Sequence, residues 1–422
     1  MIISVRYSAR VLHCPTVRYN AQPTHYFWRC RVLRAFFSRS LFNPSHIVAG
    51  FIAVLVGYTS SAVIIFQAAE AAGASPDEIS SWLWALGIGM GITSIGLSLR
   101  YRSPILIAWS TPGGALLATG LPGFSLNEAI GVFLFNAALI TLCGLFGWFD
   151  RIMRLIPASL AGAMLAGVLL PFGLHLFVAL EQQTLMVGAM LITYLLGRQF
   201  LPRYVVPLAL LVGVLIAALG DQLHMDALDW TLAQPVWTAP AFSLTALIGV
   251  GIPMFIVTMA SQNVPGMAVL RANGYQVPAS PLMTTTGITG LLLAPFGGYT
   301  FNLAAISAAI CAGKDADPDP AQRYRATIWG GLFYLLTGLF GATVASLFAA
   351  FPQALIMAIA GLALLGTIGN SLATALHNES QREAAFLTFL VTASGLSLLG
   401  IGSAFWGLVL GMLVLQLAGR RA

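Results

Sequence analysis

Residues 104–120 read Pro104-Ile105-Leu106-Ile107-Ala108-Trp109-Ser110-Thr111-Pro112-Gly113-Gly114-Ala115-Leu116-Leu117-Ala118-Thr119-Gly120, and the reading of this stretch decides the fold. Its flanks are apolar enough for a bilayer, but its centre is Ser-Thr-Pro-Gly-Gly. Ser110 or Thr111 suits a helix N-cap and Pro112 suits the first turn, so a helix starts in mid-membrane. Ile105–Ala108 then approaches it as extended chain. Irregular backbone at that depth must be buried in protein or line a water-filled cavity. The alternative is a kinked full-length helix.

A second interrupted stretch lies far along the chain, at Pro295-Phe296-Gly297-Gly298-Tyr299-Thr300-Phe301-Asn302. A short helix-like run, Leu303 to Cys311, follows it before Lys314. Tyr299 to Gly313 is too short for a crossing helix, which needs about 20 residues. Two half-helices, beginning at Ser110/Thr111 and at Tyr299/Thr300, are therefore expected to aim their N-termini at one midplane cavity. Unpaired N–H groups at such ends attract anions, each end contributing about 0.3–1 kcal/mol and up to about 2 when partly buried.

The halves around these stretches look alike. Cys143-Gly144-Leu145-Phe146-Gly147 is echoed by Thr337-Gly338-Leu339-Phe340-Gly341, Pro157-Ala158-Ser159-Leu160 by Pro352-Gln353-Ala354-Leu355, and Ala166-Gly167 by Ala360-Gly361. With seven spans per copy, an odd number, the second copy lies inverted. Inverted repeats are a transporter signature, with the substrate where the repeats meet.

The whole chain fits that reading. At 58% hydrophobic and 8% charged, it is an all-α polytopic membrane protein rather than a water-soluble domain. About fourteen apolar stretches begin near Ile47, Ser81, Pro104, Asn127, Leu155, Leu185, Tyr204, Leu244, Leu282, Tyr299, Ala326, Ala354, Ala384 and Gly402. All 20 Lys and Arg then fall on one side: seven precede the first span, and the rest occupy alternate gaps from Arg100/Arg102 to Arg420/Arg421. Cationic loops resist translocation, so both termini are expected in the cytoplasm. The basic residues stand singly or in pairs at span ends, which argues against nucleic acid. The four cysteines form no CxxC pair, so no metal site or disulfide framework is indicated. The expected organisation is a basic, disordered arm over 1–42, a first seven-segment repeat over 43–220, an extracytoplasmic loop over 221–242, and a second repeat over 243–422. An over-long start is an equivalent reading of the arm, and an organelle transit peptide is the alternative.

Other polar residues can be placed at the cavity. Thr258, Ser261 and Gln262 stand at i, i+3 and i+4, on one helix face, with Asn263 beside them. Amides without neighbouring charge suit a carboxylate. Tyr58 belongs to a polar cluster with Thr59, Ser60 and Ser61, which serves either the pocket or helix packing. No acid or base sits securely in mid-membrane, and His46, His175 and His377 read as interfacial.

Ala49–Tyr58, Ala108–Gly113, Thr258–Asn263, His377-Asn378-Glu379 and Val391–Gly395 together resemble the benzoate/proton symporter (BenE) family, from Asn43 onward. The resemblance implies a fold similar to that of nucleobase/cation symporters and sulfate permeases: a seven-plus-seven inverted repeat divided into core and gate domains. It also implies short strands leading into the half-helices of segments three and ten. Homodimers are common for that fold. The implied activity is uptake of benzoate or a similar aromatic carboxylate with a proton. Nucleobase symporters of this fold use acids where Gln262 and Asn302 stand here, so their proton mechanism does not carry over.

The expectation is thus a bacterial inner-membrane secondary transporter, not an enzyme. Its expected substrate contacts are Tyr58, Ser110, Thr111, Gly113, Gln262, Asn263, Tyr299, Thr300 and Asn302, with no cofactor. A nucleobase or inorganic anion in the same fold is the main alternative. A channel lacks a charged pore ring, and a membrane enzyme lacks a catalytic constellation.

Overall fold

The computed structural model describes residues 43–149, 151, 157–201, 204–223, 230–314, 316–399 and 401–419; the arm expected over 1–42 lies outside them. In chain order the first half holds α1 (Pro44–Ala71), α2 (Pro76–Tyr101), β1 (Ile107–Ala108), α3 (Thr111–Gly120), α4 (Leu126–Leu145), α5 (Ala158–Gln182), α6 (Thr184–Phe200) and α7 (Val205–Leu219). The second half holds α8 (Leu244–Arg271), α9 (Ala279–Leu293), β2 (Asn302–Leu303) and α10 (Ile306–Ala312). It continues with α11 (Tyr324–Leu339), α12 (Gly341–Ala349), α13 (Gln353–Leu376), α14 (Arg382–Ala393) and α15 (Ser403–Gly419).

The helix starts follow from their caps. Pro44 fills the first turn of α1 behind the Asn43 cap, whereas α2 and α4 open on reciprocal Ser75/Glu78 and Ser125/Glu128 boxes. Among the described residues, five helices are long and apolar enough to cross a membrane, or up to seven if two bent pairs count as single spans. One such pair, α11 with α12, turns by 66°.

Helices pack through small residues, as expected where lipid supplies no hydrophobic drive for association. Gly87 of α2 faces Gly338 of α11 backbone to backbone, Gly287 of α9 abuts Thr141 of α4, and Gly361 of α13 rests on Phe172 and Leu176 of α5. Residues 230–243 form an unstructured strap pinned to four helix ends. Ala233 N–H donates to Leu339 O (2.8 Å), Val236 N–H to Ser81 Oγ (2.9 Å), Thr238 N–H to Pro295 O (2.8 Å) and Ala241 N–H to Asn127 O (2.8 Å).

Two local readings change. The second half-helix begins at Ile306, not at Tyr299/Thr300, because the intervening residues run extended to pair with β1. And α8 has no constant helical phase: π-turns at Leu247–Gly251 and Met259–Asn263 interrupt it. The i, i+3, i+4 spacing of Thr258, Ser261 and Gln262 does not give them equal burial. Thr258 and Asn263 are fully buried, while Ser261 and Gln262 are only half-buried.

Candidate functional site

Two residues from each half form the only sheet among the described residues. β1 and β2 pair antiparallel, Ile107 opposite Leu303 and Ala108 opposite Asn302, and Ala304 N–H extends the ladder to Leu106 O at 2.9 Å. A two-stranded sheet inside apolar surroundings has two open edges whose polar groups must be satisfied. Side chains do this. On the β1 edge, Ile107 N–H donates to Ser94 Oγ (2.9 Å) and Ser98 Oγ donates to Ile105 O (2.9 Å); Thr327 Oγ1 in turn donates to Ser98 Oγ (2.8 Å). On the β2 edge, Leu303 N–H donates to Asn263 Oδ1 (3.0 Å).

Each strand of this sheet leads into a short helix, β1 into α3 and β2 into α10. Ser110 caps α3 with extended backbone (φ −89°, ψ 102°), and its Oγ accepts Gly113 N–H at 3.0 Å. Its carbonyl accepts two bonds: Gly114 N–H at 2.8 Å, and Tyr299 Oη–H from the other half, also 2.8 Å. Pro112 has no N–H, so the Thr111 amide is what the first turn of α3 leaves to offer a ligand.

Around that turn stand buried hydroxyls. Thr258 and Thr300 are at most 1% exposed, and their hydroxyls have no hydrogen-bond partner among the described residues. Thr258 Oγ1 would lie 3.6 Å from a Cβ placed on Gly113, so it faces the α3 turn directly. Asn302 donates its amide to Leu303 O (3.3 Å) while its Oδ1 stays unpartnered. Aromatic rings complete the wall. Tyr58 meets Trp109 edge-on at 4.7 Å, Trp109 Nε1–H donates to Ser61 Oγ (2.8 Å), and Phe133 packs 6.1 Å from Tyr299. The Tyr58 hydroxyl, near Thr337, makes no hydrogen bond of ordinary geometry. Unpaired buried hydroxyls and a capped helix turn beside aromatic rings suit a small anion with an apolar body.

Comparison with known proteins shows the family. The family model described as benzoate membrane transport protein (BenE) matches residues 40–417. The chain belongs to the BenE family. The inner membrane protein YdcO of Escherichia coli (strain K12) is 53% identical over 87% of this chain and 94% of its own length. The benzoate membrane transport protein of Acinetobacter baylyi (strain ATCC 33305 / BD413 / ADP1) is 42% identical over 87% of this chain and 93% of its own. Among solved structures, SLC26A9 superposes with a TM-score of 0.59 at 12% identity, covering 96% of this chain and 72% of that one. The transmembrane domain of the cyanobacterial bicarbonate transporter BicA gives 0.51 at 12% identity, covering 89% and 98%. At those identities the likeness speaks for the fold alone: this BenE chain is a largely helical membrane protein of that transporter architecture.

Of the expected site residues, the BenE chain gathers Ser110, Thr111, Gly113, Tyr299, Thr300 and Asn302 at the sheet, with Tyr58 beside Trp109. Gln262 stays half-buried on the π-turn, whereas Asn263 is tied to Leu303. Ser94, Ser98 and Thr327 had no signal in the sequence, because each serves a backbone group of a distant segment. Arg323 differs from the other described Lys and Arg residues: it is 5% exposed, and its Nη1 donates to the C-terminal carbonyl of α10 at Ala312 (2.9 Å). Its Nε donates to Asp317 O (2.8 Å). The Asp317 carboxylate meets His46 Nε2 at 2.7 Å, so the start of α1 is joined to the loop behind α10. His46, expected at an interface, is 1% exposed.

Proposed function

We propose that this protein is a secondary active transporter that takes up benzoate or a similar small aromatic carboxylate together with a proton, by alternating access. The observation that carries it is the cross-half junction, where a sheet of two residues from each half holds the capped turn of α3 against Tyr299 and leaves the Thr258 and Thr300 hydroxyls unpaired. The Thr111 amide and these hydroxyls receive the carboxylate, and Tyr58 and Trp109 flank the ring, whose burial contributes about 2 kcal/mol. Gln262 borders the pocket on its half-open side. None of the residues named for the site is acidic or basic, so the proton travels on the substrate's own carboxylate or on a group near a span end.

The same reading includes fourteen segments as a seven-plus-seven inverted repeat, 43–220 and 243–422, divided into core and gate domains. The spacing of equivalent elements supports it. β2 follows β1 by 195 residues, and α10 and α13 start 195 residues after α3 and α5, within one residue of the offsets of 194 and 195 between the sequence echoes. Cytoplasmic termini follow from the one-sided distribution of Lys and Arg. An inner-membrane location is supported by the relative named for it.

The test is uptake of labelled benzoate into proteoliposomes with and without an inward proton gradient, with unlabelled uracil and sulfate as competitors. Gradient-driven accumulation blocked only by aromatic acids is expected. Folded protein that accumulates no benzoate would remove the substrate assignment, and competition by uracil or sulfate would redirect it.

A further inference from the structure

Thr258 and Asn263 are five residues apart, so on a regular α-helix they would point about 140° away from one another. Both are nevertheless fully buried, each against a different half of the molecule. The π-turn over Met259–Asn263, closed by Val264 N–H on Met259 O, adds one residue to the turn and brings the two towards one side. Thr258 then faces Gly113 at the head of α3, and Asn263 faces β2.

The Asn263 side chain is engaged at both ends. Its Oδ1 accepts Leu303 N–H at 3.0 Å, and its Nδ2 lies 3.2 Å from Met259 Sδ. Three residues on, Gly266 brings α8 directly against the strand: a Cβ there would sit 2.5 Å from Leu303 Cβ and 3.1 Å from Ala304 O. The helix therefore occupies the place of a third strand, with Asn263 supplying the one acceptor that the Leu303 N–H needs. Two residue pairs are a weak determinant of register, and a one-residue slip would turn Asn302 and its neighbours to the opposite face.

Resting on the transport reading above, we infer that Asn263 is a positioning residue rather than a substrate contact. It holds β2 in register with β1, and through β2 it places Tyr299 and Thr300 against the head of α3. The π-turn is what lets one helix reach both halves.

The role can be separated from direct contact because Asp retains the acceptor but loses the amide donor. Wild type, Asn263→Asp, Asn263→Ala and the shorter polar Asn263→Ser are purified, checked for monodispersity and assayed for benzoate uptake. Selectivity among ring-substituted benzoates and hydrogen–deuterium exchange across residues 299–305 are measured alongside. The expected result is a KM within about threefold of wild type for Asp, and a rise of at least tenfold for Ala and Ser without changed selectivity. Faster exchange across 299–305 is expected only in Ala and Ser. Equal impairment of Asp and Ala with altered selectivity would assign Asn263 to the substrate and overturn the inference. An unchanged KM in Ala with only a lower melting temperature would reduce it to a packing residue. If wild type transports no benzoate, the substrate reading fails by itself, and exchange still decides: unchanged exchange in Ala and Ser overturns the positioning role.

Discussion

Replacing Tyr299 by Phe tests the cross-half junction at one atom. The Tyr299 side chain is fully buried, and its hydroxyl donates to Ser110 O at 2.8 Å. That carbonyl also accepts Gly114 N–H at 2.8 Å, so deleting the hydroxyl orphans no donor and leaves the acceptor paired. The ring keeps its packing on Phe133. The loss is therefore one net hydrogen bond without an added desolvation penalty, about 1 kcal/mol. If the whole of it falls on the binding-competent arrangement, benzoate affinity drops about fivefold. A hydroxyl that instead donated directly to the substrate carboxylate would contribute about 1.5–3 kcal/mol, a loss of roughly tenfold to more than a hundredfold. Benzoate titration of purified Y299F, followed by tryptophan fluorescence, separates these cases, with Tyr299→Leu as the control for ring loss. A decline beyond about thirtyfold in Y299F, well outside the range of a neutral bond, would refute the inter-half role.

Ser61→Ala removes the acceptor of the Trp109 indole N–H and leaves a buried donor unpaired, so it should destabilise by about 1–3 kcal/mol; thermal unfolding should show Trp109→Phe and the double variant to be non-additive with it. Gly87→Ala places a methyl against the backbone of Gly338, with no flexible side chain to yield, and overpacking of about 1–3 kcal/mol should lower the melting temperature more than Ala at the open Gly96 does. Partial burial pushes the Asp317 carboxyl up, but the Asp319 amide, His46 and the charge of Arg325 outweigh it and hold the group below its ordinary value. Its contribution is thus present above the usual carboxylate range and lost as pH falls through the lowered value. Unfolding curves of wild type and Asp317→Asn should differ at neutral pH and converge as the pH falls below the ordinary carboxylate range; a constant gap would count against that account. Arg323→Met should release the Ala312 carbonyl and destabilise the α10 end, seen as faster hydrogen exchange over residues 306–312.

Part of the local structure at the candidate site was legible in the sequence. Ser-Thr-Pro-Gly after an apolar run forecasts a helix start in mid-membrane, and Ser110 does cap α3. The second start was misplaced by six residues because Tyr299 to Leu303 carries no local signal for strand or helix; its conformation is imposed by Ile107 and Ala108, almost two hundred positions away. The unequal burial of Thr258, Ser261 and Gln262 on α8 was not legible for a different reason. A 100° step per residue holds only while the pitch is constant, and the π-turn at Met259–Asn263 shifts everything beyond it.

The chain's own order of residues determined that this is a multi-span membrane protein, where its breaks fall, and to which family it belongs. Composition, charge placement and caps act over a few residues, and each can be read along a line. Only the tertiary structure decided that the two strands pair as Ile107 with Leu303, that Tyr299 spends its hydroxyl on Ser110, and that Asn263 holds an edge rather than standing open. Those choices depend on which backbone groups would otherwise be buried without partners, and that is known only once distant segments have met.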